Sequence, residues 1–184
     1  INYNIENDQF LCFDSLATPL YMSTAASGGD NNYVYKWQSS NDNISWSNIP
    51  NTNTTIFSPG FMSQSTYYRM KTSSTYASGC IDRFTNSVDV HVYDPLAPGI
   101  INSSQAICYN TQPDSLSFLD LPSGADSNYT YVWQYSLDDQ SWLDIPLFDS
   151  MTYQPAILDS TRYFRSIVIS DFGCGSVLTS SLMI

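Results

Sequence analysis

Residues 9–69 align with residues 105–165 without a gap, at a constant offset of 96, and 20 of the 61 paired positions are identical. Cys12 meets Cys108, Tyr33-x-Tyr35-x-Trp37-Gln38 meets Tyr129-x-Tyr131-x-Trp133-Gln134, and Trp46-x-x-Ile49-Pro50 meets Trp142-x-x-Ile145-Pro146. Pro59 matches Pro155, and Tyr67-x-Arg69 matches Tyr163-x-Arg165. Beyond them the offset falls to 94, so that Cys80 meets Cys174 and Ser87 meets Ser181. A fixed period marks an array of one module. A period of 96 residues lies within the size of a single domain, so the 184 residues are expected to form two, over 1–97 and 98–184.

Each repeat is small enough to gain from a covalent staple, and the four cysteines fall as one pair per repeat. Four cysteines allow three connectivities, and spacing alone does not choose among them. A module that folds alone closes its own bridge, so the duplication predicts Cys12–Cys80 and Cys108–Cys174. Each bridge is worth about 4 kcal/mol in the chain-entropy model. A metal site is disfavoured, because there is no C-x-x-C spacing and the only histidine is His91. Disulfides imply an oxidising compartment outside the cytoplasm. The chain opens at Ile1 without a basic and then apolar leader, and no apolar run approaches spanning length. It is therefore expected to be an internal piece of a longer protein, with no membrane insertion of its own.

The net charge of −11 divides into −4 over residues 1–97 (8 acidic, 4 basic) and −7 over residues 98–184 (9 acidic, 2 basic). That sign repels phosphate backbones and excludes nucleic acid as a partner. Asn, Ser, Thr and Gln supply much of the polar surface, and 14 Tyr accompany them. Such a composition favours strands over helices.

Apolar residues alternate by two, and no segment keeps a 3.6-residue period. Tyr33, Tyr35 and Trp37 share one strand face, with Val34, Lys36 and Gln38 on the other. A turn at Ser40-Asn41-Asp42-Asn43 leads into a strand through Trp46, and Ser136-Leu137-Asp138-Asp139 does the same before Trp142. Further strands are expected at 18–24, 54–58, 65–73 and 86–93, and at 115–119, 151–154, 161–169 and 178–184. Short, regular spacing predicts an all-β chain of two tandem immunoglobulin-like antiparallel β-sandwiches. The connector Asp94-Pro95-Leu96-Ala97-Pro98-Gly99 is short and contains two prolines, which predicts limited bending.

Trp37 and Trp133 are expected in the two cores, because a small sandwich needs large side chains. Core packing is the favoured reading for Trp46 and Trp142 as well, with a binding site shared by both repeats, part of a sugar-stacking platform, as the alternative that makes them the candidate ligand contacts. Arg69 and Arg165 recur between aromatics and are expected to stack on a neighbouring ring rather than to clamp an anion. The acidic residues Asp42, or Asp138, Asp139 and Asp144, offer a weak calcium candidate, since no dense Asp-x-Asp-x-Asp-Gly run supplies six to eight oxygens. No catalytic or cofactor-binding residue emerges. His91 lies in the alternating run Val88–Val92, expected to face solvent, and has no counterpart in the second repeat.

The segment Pro98-Gly99-Ile100-Ile101-Asn102-x-x-Gln105-x-Ile107-Cys108, with Tyr131-x-Trp133-Gln134-x-Ser136-x-Asp138, Trp142-x-x-Ile145 and Thr161-x-Tyr163-Phe164-Arg165, resembles a known kind of repeat. It is similar to the Ig-like (PKD-like) repeats of very large Bacteroidetes surface proteins, above all the gliding-motility adhesins of the SprB type. The first repeat carries the same signature at Gln9-x-x-Cys12, Tyr35-x-Trp37-Gln38, Trp46-x-x-Ile49 and Thr66-Tyr67-Tyr68-Arg69. The usual Asp-Gly turn is replaced by Asp42-Asn43 and Asp138-Asp139. The resemblance implies type IX secretion, display on the outer cell surface, and work as a filamentous adhesin in gliding and attachment. Neighbouring repeats of the parent chain, and surface polysaccharides or the substratum, are the implied partners. A carbohydrate-binding or accessory module of a secreted multidomain protein is the alternative. Asp14-Ser15-Leu16, Asp114-Ser115-Leu116, Asp149-Ser150-Met151 and Asp159-Ser160-Thr161 resemble the O-glycosylation sites of exported Bacteroidetes proteins.

Overall fold

The computed structural model describes residues 3–27, 32–74, 81–146 and 149–184, and every regular element among them is a β-strand. The chain divides into two compact units, Ile1–Tyr93 and Asp94–Ile184. The first contains β1 (Ile5–Glu6), β2 (Gln9–Leu11), β3 (Ser15–Leu16), β4 (Leu20–Met22), β5 (Tyr33–Ser40), β6 (Ser47–Asn48), β7 (Ile56–Phe57), β8 (Phe61–Met62), β9 (Thr66–Ser74), β10 (Arg83–Phe84) and β11 (Val88–Val92). The second contains β12 (Ile100–Ile101), β13 (Leu116–Asp120), β14 (Tyr129–Ser136), β15 (Trp142–Asp144), β16 (Thr152–Tyr153), β17 (Tyr163–Ser170), β18 (Ser176–Leu178) and β19 (Leu182–Met183).

In the first unit a three-stranded sheet β1-β4-β7 faces a larger sheet β2-β11-β9-β5-β6, with β10 also paired to β9 and a small β3-β8 pair beside them. The second unit repeats this as β12-β13-β16 against β15-β14-β17-β18, with β19 also on β17. All these pairings are antiparallel except β2 with β11, which runs parallel. The expected tandem of immunoglobulin-like sandwiches is what forms.

The period-two pattern of the sequence becomes an inside and an outside. Along β9, Thr66, Tyr68, Met70 and Thr72 are buried while Tyr67, Arg69 and Lys71 alternate with them. Trp37 and Trp133 have no exposed surface and anchor the two cores, as expected. Around Trp37 pack Ile5, Leu20, Tyr68, Met70, Val88 and Val90; around Trp133 pack Ile101, Leu116, Phe164, Leu182 and Ile184. Each indole N–H donates to a main-chain carbonyl, that of Thr54 at 3.0 Å and that of Ser150 at 2.9 Å. A buried indole therefore carries no unpaired donor.

Three differences from the sequence reading have clear causes. The last strand expected over 178–184 is broken between β18 and β19. The break repeats one between β10 and β11, and a buried threonine makes it in both units. Thr85 Oγ1 accepts the Met70 N–H at 2.9 Å, and Thr179 Oγ1 accepts the Ser166 N–H at 2.9 Å, so a side chain replaces one ladder carbonyl. Second, the connector is part of the second unit. Ala97 bridges Ser123, and Ala125 N–H donates to Asp94 O at 2.8 Å. Gly124, at φ +84, lies so close under Pro95 O that a Cβ there would overlap it.

Third, the expected Cys108–Cys174 bridge does not form. Cys108 is a free, exposed thiol, whereas Cys12 and Cys174 each take part in a disulfide. Cys80, and with it the expected Cys12–Cys80 bridge, lies outside the described residues. The reason at Cys108 is distance. Its turn is tied to Leu158 and to the end of β17 that pairs with β19, since Asn110 N–H donates to Leu158 O and Gln105 N–H to Met183 O. Cys174 follows the opposite end of β17, its N–H facing Ser170 Oγ at 3.4 Å. Eight residues of strand separate the two by roughly 25 Å, and a disulfide needs Cα atoms within about 7 Å.

The core contacts set a stability test. Leu20→Ala and Leu116→Ala, each at a fully buried position, are expected to cost about 2–5 kcal/mol in urea denaturation of their own unit. Ile44→Ala, at a turn position 81% exposed, is expected to stay within about 0.5 kcal/mol. Equal losses at buried and exposed sites would contradict this arrangement of the cores.

Candidate functional site

The outer face of each large sheet carries the same row of side chains. In the first unit Gln38 on β5 stands directly opposite Arg69 on β9; in the second, Gln134 on β14 stands opposite Arg165 on β17. Arg69 Nε donates to Gln38 Oε1 at 2.7 Å, and Gln38 Nε2 donates to Asn48 Oδ1 at 2.9 Å. Arg165 Nε donates to Gln134 Oε1 at 2.7 Å, and Gln134 Nε2 to Asp144 Oδ1 at 2.7 Å. Both glutamines are buried beneath this layer.

The guanidinium then covers an indole. Arg69 lies over Trp46 at 4.2 Å from the ring centroid and over Phe84 at 4.2 Å, while Arg165 lies over Trp142 at 4.0 Å. The expected stacking of Arg69 and Arg165 is present. Burial lowers the Arg69 pKa from its ordinary value, because a desolvated cation is less favourable. Trp46 and Trp142 are half-buried and stand apart from the core clusters. One face of each indole is occupied by arginine, so any planar ligand would have to use the other. The roles of Gln38 and Gln134 were missed in the sequence, although their recurrence directly after the core tryptophan is the signal that marks them.

The turns between β5 and β6 and between β14 and β15 hold their aspartates inward. Asp42 Oδ1 accepts from Ser40 Oγ, Ile44 N–H and Ser45 N–H at 2.8, 2.9 and 2.7 Å. Asp138 Oδ1 does so from Ser136 Oγ, Gln140 N–H and Ser141 N–H at 2.9, 3.0 and 2.7 Å. Asn43 and Asp139 take the left-handed backbone, φ 58 and 59, that these turns require. The Asp138 carboxyl is held at about 2, below its ordinary 3.8, first by the Ser141 N–H and next by the Gln140 N–H and the Ser136 hydroxyl. Asp42 is also held well below its ordinary value, first by Ser45 and next by Ile44. The acidic residues considered for calcium are therefore engaged separately, Asp138 in its turn and Asp144 on Gln134. Among the described residues no group of three or more His, Cys, Asp or Glu is gathered as a metal site.

His91 is half-buried on the outer side of β11, its ring 5.5 Å from Phe10 and 5.2 Å from Tyr93, rather than open to solvent. Gln9 and Gln105 are a further pair of polar fasteners. Gln9 clips Thr18 through its N–H at 2.7 Å and its carbonyl at 3.0 Å, and Gln105 clips Asp114 at 2.9 and 3.2 Å.

A family model described as Domain of unknown function (DUF8696) matches the chain twice, over residues 2–94 and 97–184. The chain belongs to this family. No curated protein matches these DUF8696 repeats at a significant level. Among solved structures, domains A168–A170 of titin share 15% identity with a TM-score of 0.53, over 99% of this chain and 64% of that one. The chain thus spans less than two thirds of the titin fragment, and the likeness is one of fold. The FN1–FN3 domains of chicken CNTN1 give a TM-score of 0.33 at 8% identity, over 96% of this chain and 67% of that one. The chicken interferon gamma receptor alpha chain gives 0.30 at 10%, over 100% and 95%.

Two measurements probe the DUF8696 outer face. A double-mutant cycle on Arg165→Ala and Trp142→Ala is expected to give a coupling of about 0.5–2 kcal/mol. A coupling below about 0.3 kcal/mol would mark the stack as energetically inert. The Asp138 carboxylate stabilises the fold above its unfolded pKa of 3.8, and that contribution is lost as pH falls through its folded value of about 2. The melting-temperature gap between the wild type and Asp138→Ala should therefore be full at pH 6 and shrink between roughly pH 4 and pH 2. A gap independent of pH in that window would remove the charge from the explanation.

Proposed function

We propose that these two repeats are a stalk module of a large bacterial cell-surface adhesin of the gliding-motility (SprB) type, displayed outside the cell and non-catalytic. The observation that carries this reading is the use made of the recurring residues. Trp37 and Trp133 fill cores, Gln38 and Gln134 pin Arg69 and Arg165, and the arginines cap Trp46 and Trp142. What recurs builds the module, as a repeated spacer requires. An acidic surface rich in Asn, Ser and Thr keeps such a stalk soluble. Ser115 and Ser160, in two of the Asp-Ser pairs, are exposed and available for glycans.

One observation favours a second reading, that of a carbohydrate-binding module. Trp46 and Trp142 retain part of their surface on equivalent outer faces, spaced by the repeat. Calcium is proposed for neither reading as a requirement.

The experiment is binding of the purified chain to a panel of polysaccharides and to glass, with and without calcium, beside Trp46→Ala and Trp142→Ala. The stalk reading expects no saturable binding by folded protein. Saturable binding to one glycan, weakened at least tenfold by either substitution in a chain that still melts cooperatively, would overturn it in favour of carbohydrate recognition.

A further inference from the structure

The same place in the two sandwiches is filled in one and open in the other. Ser39 on β5 stands opposite Tyr68 on β9, as Tyr135 on β14 stands opposite Phe164 on β17. Both positions come two residues after the core tryptophan and so share its inward face. In the second unit Tyr135 packs against the core cluster that holds Trp133 and Phe164. In the first unit a serine stands there, and a depression of about 310 Å³ opens between Ser39, Phe57, Phe61, Met62 and Tyr68. That volume lies at the lower end of the range for small-molecule sites, roughly 300–1,000 Å³.

The lining is aromatic inside and uncharged at the rim. The Phe57 ring lies 5.5 Å from that of Trp37 and 5.5 Å from that of Tyr68, so one more ring would extend an existing series. Phe61, 71% exposed, borders the opening. Tyr68 is only 6% exposed, and its hydroxyl donates to Met62 Sδ at 3.6 Å, a weak acceptor. The same hydroxyl oxygen can accept a hydrogen bond. At the rim Asn41 and Gln64 supply amides and Ser63 a hydroxyl. The equivalent positions of the second unit hold Leu137 in place of Asn41, and Asp159 paired with Arg162 at 3.6 Å in place of Ser63 and Thr66. Among the described residues no charged side chain lines the open depression, which suits a neutral ligand.

We propose that this depression of the first unit is a binding site for a neutral phenol, whose ring takes the place that Tyr135 fills from within in the second unit. The ring lies against Phe57 and Phe61, and its hydroxyl exchanges hydrogen bonds with the uncharged groups of the lining. In such a site apolar contact supplies the affinity and a few polar groups fix the orientation. The site opens on the inward face of β5, whereas Trp46 belongs to the outer face of the same sheet. It therefore rests neither on the stalk reading nor on the carbohydrate reading of Trp46 and Trp142.

The test is calorimetric titration of the whole chain with p-cresol. The expected result is saturable binding at one site with a Kd of about 1 mM or tighter, and binding of toluene at least about tenfold weaker. Ser39→Tyr, which supplies the ring covalently as the second unit does, should weaken p-cresol binding at least about tenfold. Phe61→Ala, at an exposed position outside the core, should weaken it too, and it decides alone if Ser39→Tyr does not melt cooperatively. Trp142→Ala, in the other unit, should leave it unchanged. N-Acetyl-L-tyrosinamide presents the same ring on a main chain. Tighter binding of p-cresol assigns the site to free phenols, and tighter binding of the amide assigns it to a tyrosine side chain of a partner. No saturable binding of either, toluene bound as tightly as p-cresol, or undiminished binding by the folded variants at Ser39 and Phe61 would each overturn the proposal. None of these readouts involves a glycan, so a failure here is distinguishable from a result that sinks the stalk reading.

Discussion

The fold depends on burying one indole per repeat between two sheets. Trp37 and Trp133 lie on the longest strand pairings of their units, β5 with β9 and β14 with β17, and reach across to the smaller sheets. A tryptophan fills the gap between sheets about 10 Å apart, but only if its N–H is paired. Thr54 O and Ser150 O meet that need from the loops leading to β7 and β16, which ties the position of the opposite sheet to the core. The backbone carbonyls of the same tryptophans accept the N–H of Ile49 and Ile145, so the hairpin after each is set by the same residue.

From this anchor the outer face follows by strand geometry. A residue next to a core tryptophan must point outward, and in both repeats it is glutamine, opposite an arginine on the partner strand. Glutamine both accepts and donates, so it joins the arginine on one side to Asn48 or Asp144 on the other. The arginine, with its Nε fixed, is left with its flat face over the indole of Trp46 or Trp142. A lysine has neither the planar face nor the Nε–H to make this arrangement.

The sequence alone made the sandwich class, the hairpin through the Asp turns, the core tryptophans and the arginine stacks legible, because each follows from a local period or a recurring pair. It did not reveal the disulfide state of Cys108. The duplication suggested a module closed on itself, but connectivity depends on which ends of a sandwich two turns occupy, and that is a property of topology. Thr85 and Thr179 were equally hidden, since a threonine that replaces a ladder carbonyl looks like any β-branched strand residue. The His91 environment was misread for a related reason: alternation places a side chain on the outer face, yet Phe10 arrives there from the parallel strand β2, which has no local signal.

The repeats show which contacts are exchangeable. Tyr68 gives way to Phe164, Met62 to Leu158, Met70 to Ser166 and Val88 to Leu182, all at buried or core-lining positions. Apolar filling tolerates such changes when neighbours adjust. The unchanged positions include the core anchors Trp37 and Trp133 and Leu20 and Leu116, and a set of directional ones: Gln9 and Gln105 clip a loop, Gln38 and Gln134 bridge two side chains, and Asp42 and Asp138 close a turn. A hydrogen-bonded group leaves its partner unsatisfied when replaced, a cost of about 1–3 kcal/mol that packing cannot relax away. Identity between the copies therefore falls on polar fasteners as well as on core anchors, and recurrence by itself is poor evidence for a ligand site.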